Sequence, residues 1–186
     1  GAVDVLINVK ACGICGSDLH AYKEGIFSRP GFVMGHELSG EVVEVGNRVE
    51  RIAVGDRIVA LGGVREKSCG KCFWCQREQP QWCSSISHKP CGECPECKSG
   101  KFWLCEKHQR YMTAGYSRNG GYAEYMFVPD ATINRNVYKI PDSVSFEEAT
   151  FLEPLSGTYK WVEMANPKPH DTAVVTGLGT IGLLVM

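Results

Sequence analysis

Three groups of residues in this chain have types and spacing that could do chemistry. The first is Cys12-Gly-Ile-Cys15-Gly-Ser17-Asp18-Leu-His20, followed by Gly35-His36-Glu37. Thiolate, imidazole and carboxylate drawn from separate segments are the ligand types of a catalytic zinc that keeps one position open. Any one of these residues taken alone reads as a packed thiol or a core histidine. Their combination is what argues for a metal. The second group is eight of the ten cysteines, which form two identical C-x2-C-x2-C-x7-C patterns. Cys69, Cys72, Cys75 and Cys83 make the first, and Cys91, Cys94, Cys97 and Cys105 repeat it 22 positions later. Four thiolates can close a tetrahedral zinc site to substrate. The third is Gly177-Leu-Gly179-Thr-Ile-Gly182, a G-x-G-x-x-G. In a dinucleotide fingerprint Gly177 would allow the turn, Gly179 the approach of a pyrophosphate and Gly182 tight helix packing.

The cysteines have rival readings. The opening GAVDVLINVK alternates apolar and polar residues and lacks the charged-then-apolar layout of a secretory leader, and no run of 18 apolar residues follows. An unexported, cytoplasmic chain is expected, and there metal thiolates are favoured over a disulfide framework. C-x2-C-x2-C also opens a bacterial ferredoxin cluster motif, but such motifs place the fourth cysteine after three residues and follow it with Pro. Here the interval is seven residues, and Ser84 and Glu106 follow. A non-enzymatic zinc-ribbon binding module is the other alternative. It leaves Cys15, His36 and the glycine fingerprint unexplained. Lys and Arg total 20 against 21 Asp and Glu, so the net charge of −1 gives no field to gather nucleic acid or anionic lipid. Trp74, Trp82 and Trp103 read as cover for the thiolates or for an interface, and Lys67, Lys71, Lys98 and Lys101 as a solvated face. His88 and His108 lie close enough to the cysteine patterns to replace one ligand.

These groups need elements to position them, and 44% apolar with 22% charged residues is an ordinary globular composition. Val3, Val5, Ile7 and Val9 share one face of a period-2 pattern, which predicts a half-buried strand at the start. Further strands are expected from Glu41 to Val45, Arg57 to Leu61, Tyr122 to Val128 and Val137 to Ile140, separated by turn signals such as Asn119-Gly-Gly121. Together they make a mainly antiparallel β domain. Between Leu61 and Gly120 the periodicity disappears, so this stretch reads as an inserted lobe held by its metal more than by a core. Ser145-Phe-Glu-Glu148 is a capping-box signature that starts a helix. Pro154 is expected to break or restart it and leave Glu153 at the joint. Thr172 to Thr176 reads as a short buried strand feeding the glycine motif.

Taken in order, ACGICGSDLH, MGHELSGEVVEVG, VGDRIVALG, the Cys-rich lobe, GGYAEYMFVP, FLEPLSG and GLGTIG resemble the landmarks of the zinc-dependent medium-chain dehydrogenases. The resemblance covers nearly the whole chain. It implies a GroES-like (chaperonin-10-like) catalytic domain over residues 1–152, with the doubled cysteine lobe at 68–107, and the start of a Rossmann domain at 153–186. Carried over by motif, Cys15 and His36 are catalytic zinc ligands, and Glu37 and Glu153 are the two carboxylates near the metal, either of which could coordinate. Asp18 resembles the carboxylate that orients the ligating histidine, while Ser17 and His20 occupy the family's proton relay. The alcohol dehydrogenase branch has a cysteine where Glu153 stands. The sorbitol, threonine and glucose dehydrogenase branches carry a similar Glu-Pro dipeptide, so a secondary alcohol or polyol is the implied substrate. One cysteine lobe would be the usual structural zinc site; the second is a departure from the family.

The acidic residue that would distinguish NAD from NADP is expected about 20 positions past the glycine motif, beyond Met186. The chain therefore reads as a fragment expected not to turn over alone. Family resemblance implies a homodimer or homotetramer when full length, with no nucleic-acid or membrane partner.

Overall fold

The computed structural model describes residues 1–25, 31–61, 93–99, 115, 118–129, 131, 133 and 136–186. Its centre is a five-stranded sheet in the order β4-β1-β2-β3-β5. The strands are β1 (Val5–Gly13), β2 (Glu37–Val45), β3 (Arg57–Leu61), β4 (Tyr125–Val128) and β5 (Val137–Lys139). Every neighbouring pair is antiparallel. The period-2 pattern at the start of the chain becomes β1, with Val5 and Ile7 buried and paired to Val45 and Val42 of β2. Ile7, Leu38, Val42, Ile58, Met126, Val128 and Val137 meet in one apolar cluster. Each such side chain taken fully out of water contributes about 1.5–3 kcal/mol before the entropy of ordering is counted.

The sheet is covered on its other face too. Val59 belongs to a second cluster with Ile140 and Ala149, against which Val144, Phe146 and Leu152 pack. Two helices provide this cover, α3 (Phe146–Thr150) and α4 (Leu152–Ala165). The Ser39 hydroxyl donates to the Phe146 carbonyl at 2.6 Å, and the Arg57 guanidinium donates to the carbonyls of Pro141 and Val144 while lying over the Phe146 ring. Thus β2 and β3 are pinned to the segment that leads into α3.

Ser145 caps α3 as the signature implies: the Glu148 N–H donates to Ser145 Oγ, and the Glu148 carboxylate accepts from the Ser145 N–H. The expected break at Pro154 falls three residues earlier, at Phe151. Pro154 sits in the first turn of α4, where a missing N–H removes no intrahelical bond, so it is accommodated there. Glu153 is consequently in that first turn and not between two helices.

The strand expected at Thr172 to Thr176 does not form. Residues 171–178 are irregular, and Val174 is 86% exposed. A parallel strand needs a hydrogen-bonded neighbour, and the described residues supply none there. The helix that begins inside the glycine motif is α5 (Thr180–Val185), which packs against α4. Two further helices are α1 (Gly16–Glu24) and the short α2 (Pro95–Lys98).

Candidate metal and active site

Cys15, His36 and Glu37 reach one place from two crossings of the chain. β1 runs to Gly13, and the chain then turns into α1 with Cys15 as the residue that precedes its first turn. β2 begins at Glu37, which pairs with Gly13 across the ladder, so the thiolate and carboxylate are neighbours by strand register. Gly13 makes this possible: a Cβ there would run into the Glu37 carboxylate.

His36 is held by a second close approach. The 31–36 segment and the 119–122 segment exchange backbone bonds, with Gly120 N–H donating to Val33, Tyr122 N–H to Met34 and Gly121 N–H to Gly35. Gly35 has φ +95°, and a side chain on Gly120 would collide with the Gly35 carbonyl. Two backbones therefore touch with no side chain between them, which fixes His36, itself 6% exposed, against the end of the sheet.

The donor atoms of Cys15, His36 and Glu37 all lie within 4.8 Å of one another. A tetrahedral zinc with ligands at about 2.0–2.3 Å keeps its donors roughly 3.5 Å apart, so small side-chain movements would complete this set. One thiolate, one imidazole and one carboxylate also leave a fourth position for an outside oxygen. The donor chemistry fits a catalytic zinc. Asp18 strengthens the fit: it is 3% exposed, and its Oδ2 accepts from the Cys15 N–H and the Tyr122 hydroxyl, both at 2.9 Å. Its Oδ1 makes no hydrogen bond and lies 3.6 Å from His36 Nδ1. An imidazole protonated at Nδ1 would answer that carboxylate and turn the Nε2 lone pair toward a cation.

Glu153 stands outside the three-residue group but close enough to feel it. Burial raises its pKa, the His36 imidazole opposes that rise, and the charges of Glu37 and Asp18 add to it. Cys12 is also outside the group. Burial, then the charges of Asp18 and Glu37, push its thiol up to about 12, so it remains a protonated packing residue beside Gly35 and Gly121. Ser17 and His20 lie on α1 with Asp18. His20 is exposed, and its Nδ1 is bonded to Glu24 Oε1 at 2.8 Å.

Gly177 has φ +90°, and a Cβ on Gly182 would strike the Gly177 carbonyl. Among the described residues, no atom beyond its chain neighbours lies within 4 Å of the Cβ position at Gly179. The turn therefore has the compactness a pyrophosphate-binding loop needs. Of the cysteine-rich stretch 68–107 only residues 93–99 are described, with Cys94 half-buried before α2. Cys69, Cys72, Cys75, Cys83, Cys91 and Cys105, and the side chain of Cys97, lie outside the described residues, as do His88 and His108.

The sequence matches the alcohol dehydrogenase GroES-like domain over residues 1–88 and again over 84–142. The chain belongs to this alcohol dehydrogenase GroES-like family. Each of the two family matches contains one copy of the cysteine pattern. Among GroES-like relatives, D-xylulose reductase A of Aspergillus oryzae is 34% identical over 187 residues, covering 98% of this chain and 44% of the relative. L-threonine 3-dehydrogenase of Pyrococcus furiosus is 35% identical over 188 residues, covering 99% and 44% respectively. A crystal structure from Sinorhizobium meliloti 1021, described as a zinc-binding dehydrogenase and bound to NADP, superposes with a TM-score of 0.70 at 32% identity. It covers 100% of this chain and 45% of that one. The chain thus spans less than half the length of the relatives it matches.

Tyr122, Glu24 and Gly13 were not legible as site residues. Tyr122 stood in an expected strand and in the GGYAEYMFVP stretch but with no role attached to it, Glu24 stood in no motif, and the Gly13 signal is a clash that exists only once β1 and β2 are paired.

Proposed function

We propose that this chain supplies the catalytic domain, and the opening turn of the cofactor domain, of a zinc-dependent dehydrogenase. The reaction is hydride transfer between a secondary alcohol or polyol and NAD or NADP. The observation that carries this reading is the convergence of Cys15, His36 and Glu37 within 4.8 Å, with Asp18 behind the imidazole. Relatives named for a sugar ketone and for threonine support a secondary-alcohol substrate.

In this reading Cys15, His36 and Glu37 hold the ion, and Glu153 faces the group from α4. When bound, zinc supplies a Lewis acid that lowers the pKa of the substrate hydroxyl. Asp18 orients His36. The Ser17 hydroxyl takes the inner place in a proton path, and His20 the outer one, where Glu24 holds Nδ1 and leaves Nε2 to accept a proton and release it to water. Gly177, Gly179 and Gly182 shape the loop that would meet the dinucleotide pyrophosphate. The boundaries that follow are a GroES-like domain at 1–152 with both cysteine lobes (68–107) binding structural zinc, and a dinucleotide-binding start at 153–186. The complete protein is a homodimer or homotetramer.

The test is His36→Ala in the complete protein, assayed against polyols, threonine and simple alcohols with both nicotinamide cofactors. The expected result is loss of one zinc per chain and of activity by at least 10³-fold, on the order of a metal-supplied term of several kcal/mol. A fully active His36→Ala protein would overturn the assignment.

A further inference from the structure

Asp18 is the meeting point of three segments, and one of its contacts, Tyr122, has been given no role above. The Tyr122 hydroxyl lies 2.9 Å from Asp18 Oδ2 and 3.1 Å from the Gly13 carbonyl. It has one hydrogen to give, and a buried carboxylate is the stronger acceptor. Burial, then the hydrogen bond to Asp18, raises the phenol pKa above its ordinary value, so the hydroxyl is a donor across the physiological range. The ring lies where a side chain on Gly35 would touch it at 2.7 Å, and the Tyr122 N–H donates to Met34 at 3.0 Å. Tyr122 is therefore attached by its backbone and ring to the segment that carries His36, and by its hydroxyl to the residue that faces His36 from α1. No other side-chain hydrogen bond to Asp18 is found among the described residues.

We propose that Tyr122 is a positioning residue for the metal centre: its hydroxyl fixes the Asp18 carboxylate so that the second oxygen is presented to His36 Nδ1. Without it, the Cys15 N–H is the one donor left to Oδ2 among the described residues. The carboxylate can then rotate about its side-chain torsion, and the imidazole loses the partner that selects its tautomer. This inference rests on the zinc reading given above, and the test separates the two.

The experiment uses Tyr122→Phe, which keeps the ring against Gly35 and removes only the hydroxyl. The ion in question is the one lost in Cys15→Ser, so that zinc on the lobes is not counted. Its affinity is measured by competition with a chromophoric chelator, and its ligand field by the visible spectrum after cobalt substitution. Tyr122→Phe is expected to weaken that ion about tenfold, as loss of outer hydrogen-bond partners does, to shift the cobalt bands, and to leave the far-ultraviolet dichroism unchanged. Asp18→Asn is expected to weaken it as well, and Tyr122→Phe is expected to add nothing in the Asp18→Asn background. Unchanged affinity and spectrum in Tyr122→Phe overturn the proposal, and so does a full additive loss in the double variant. If Cys15→Ser releases no ion, the zinc reading fails and this inference fails with it.

Discussion

Asp18 illustrates what a buried carboxylate can do when its two oxygens face different neighbours. Oδ2 is taken up by the start of α1 and by Tyr122, so Oδ1 is left facing the His36 ring just ahead of β2. Gly13 acts by having no side chain. In Gly13→Ala the new methyl group would press on the Glu37 carboxylate, which must move or the ladder must open. The expected outcome is about tenfold weaker binding of the ion lost in Cys15→Ser, judged by analogy with loss of a ligand-orienting partner, with the sheet retained by circular dichroism. Retention of parental affinity would mean that the ladder itself yields. Cys15, His36 and Glu37 could be picked out from sequence because their types are rare in that combination. Gly13 and Tyr122 could not, since a clash and a hydroxyl direction belong to pairs of residues 24 and 104 positions apart.

Among the elements, those set by local chemistry were legible. Alternation announced β1, and the Ser145 to Glu148 spacing announced the start of α3. Tyr122 to Val128 shortened to a strand at Tyr125–Val128, with the Tyr122 N–H given to Met34 instead of to a neighbouring strand. TAVVT looked like a strand for sound reasons of composition, yet strand character is a property of two segments and its partner is not among the described residues. The α3 cap carries its own prediction. Ser145→Ala is expected to cost about 1 kcal/mol, read as a fall of a few degrees in the melting midpoint at neutral pH. The bond from the Ser145 backbone, then that from its hydroxyl, holds the Glu148 carboxyl below its ordinary value of 4.5. Because the folded pKa is the lower one, this contact stabilises fully above 4.5 and is lost as pH falls through the folded value. The gap between parent and Ser145→Ala should therefore narrow in acid, and a constant gap from pH 7 to pH 3 would contradict the role of the charge.

The molecule as a whole combines a candidate site built on a sheet with a cysteine pattern that occurs twice in the sequence. Each family match contains one complete C-x2-C-x2-C-x7-C pattern, and the proposal that both bind structural zinc gives each pattern four thiolates of its own. Elemental analysis of the purified chain is therefore expected to give three zinc ions, of which Cys15→Ser removes one, and a single tightly held ion would rule out independent lobes. The contact of the 31–36 and 119–122 segments has a different kind of consequence. Anyone who catalogued which substitutions the protein survives, without seeing coordinates, would find Gly35 and Gly120 as intolerant as any residue that touches zinc. Neither has chemistry to offer. Such a catalogue would draw the reactive centre too large, and the excess would trace the line where one stretch of main chain rests directly on another.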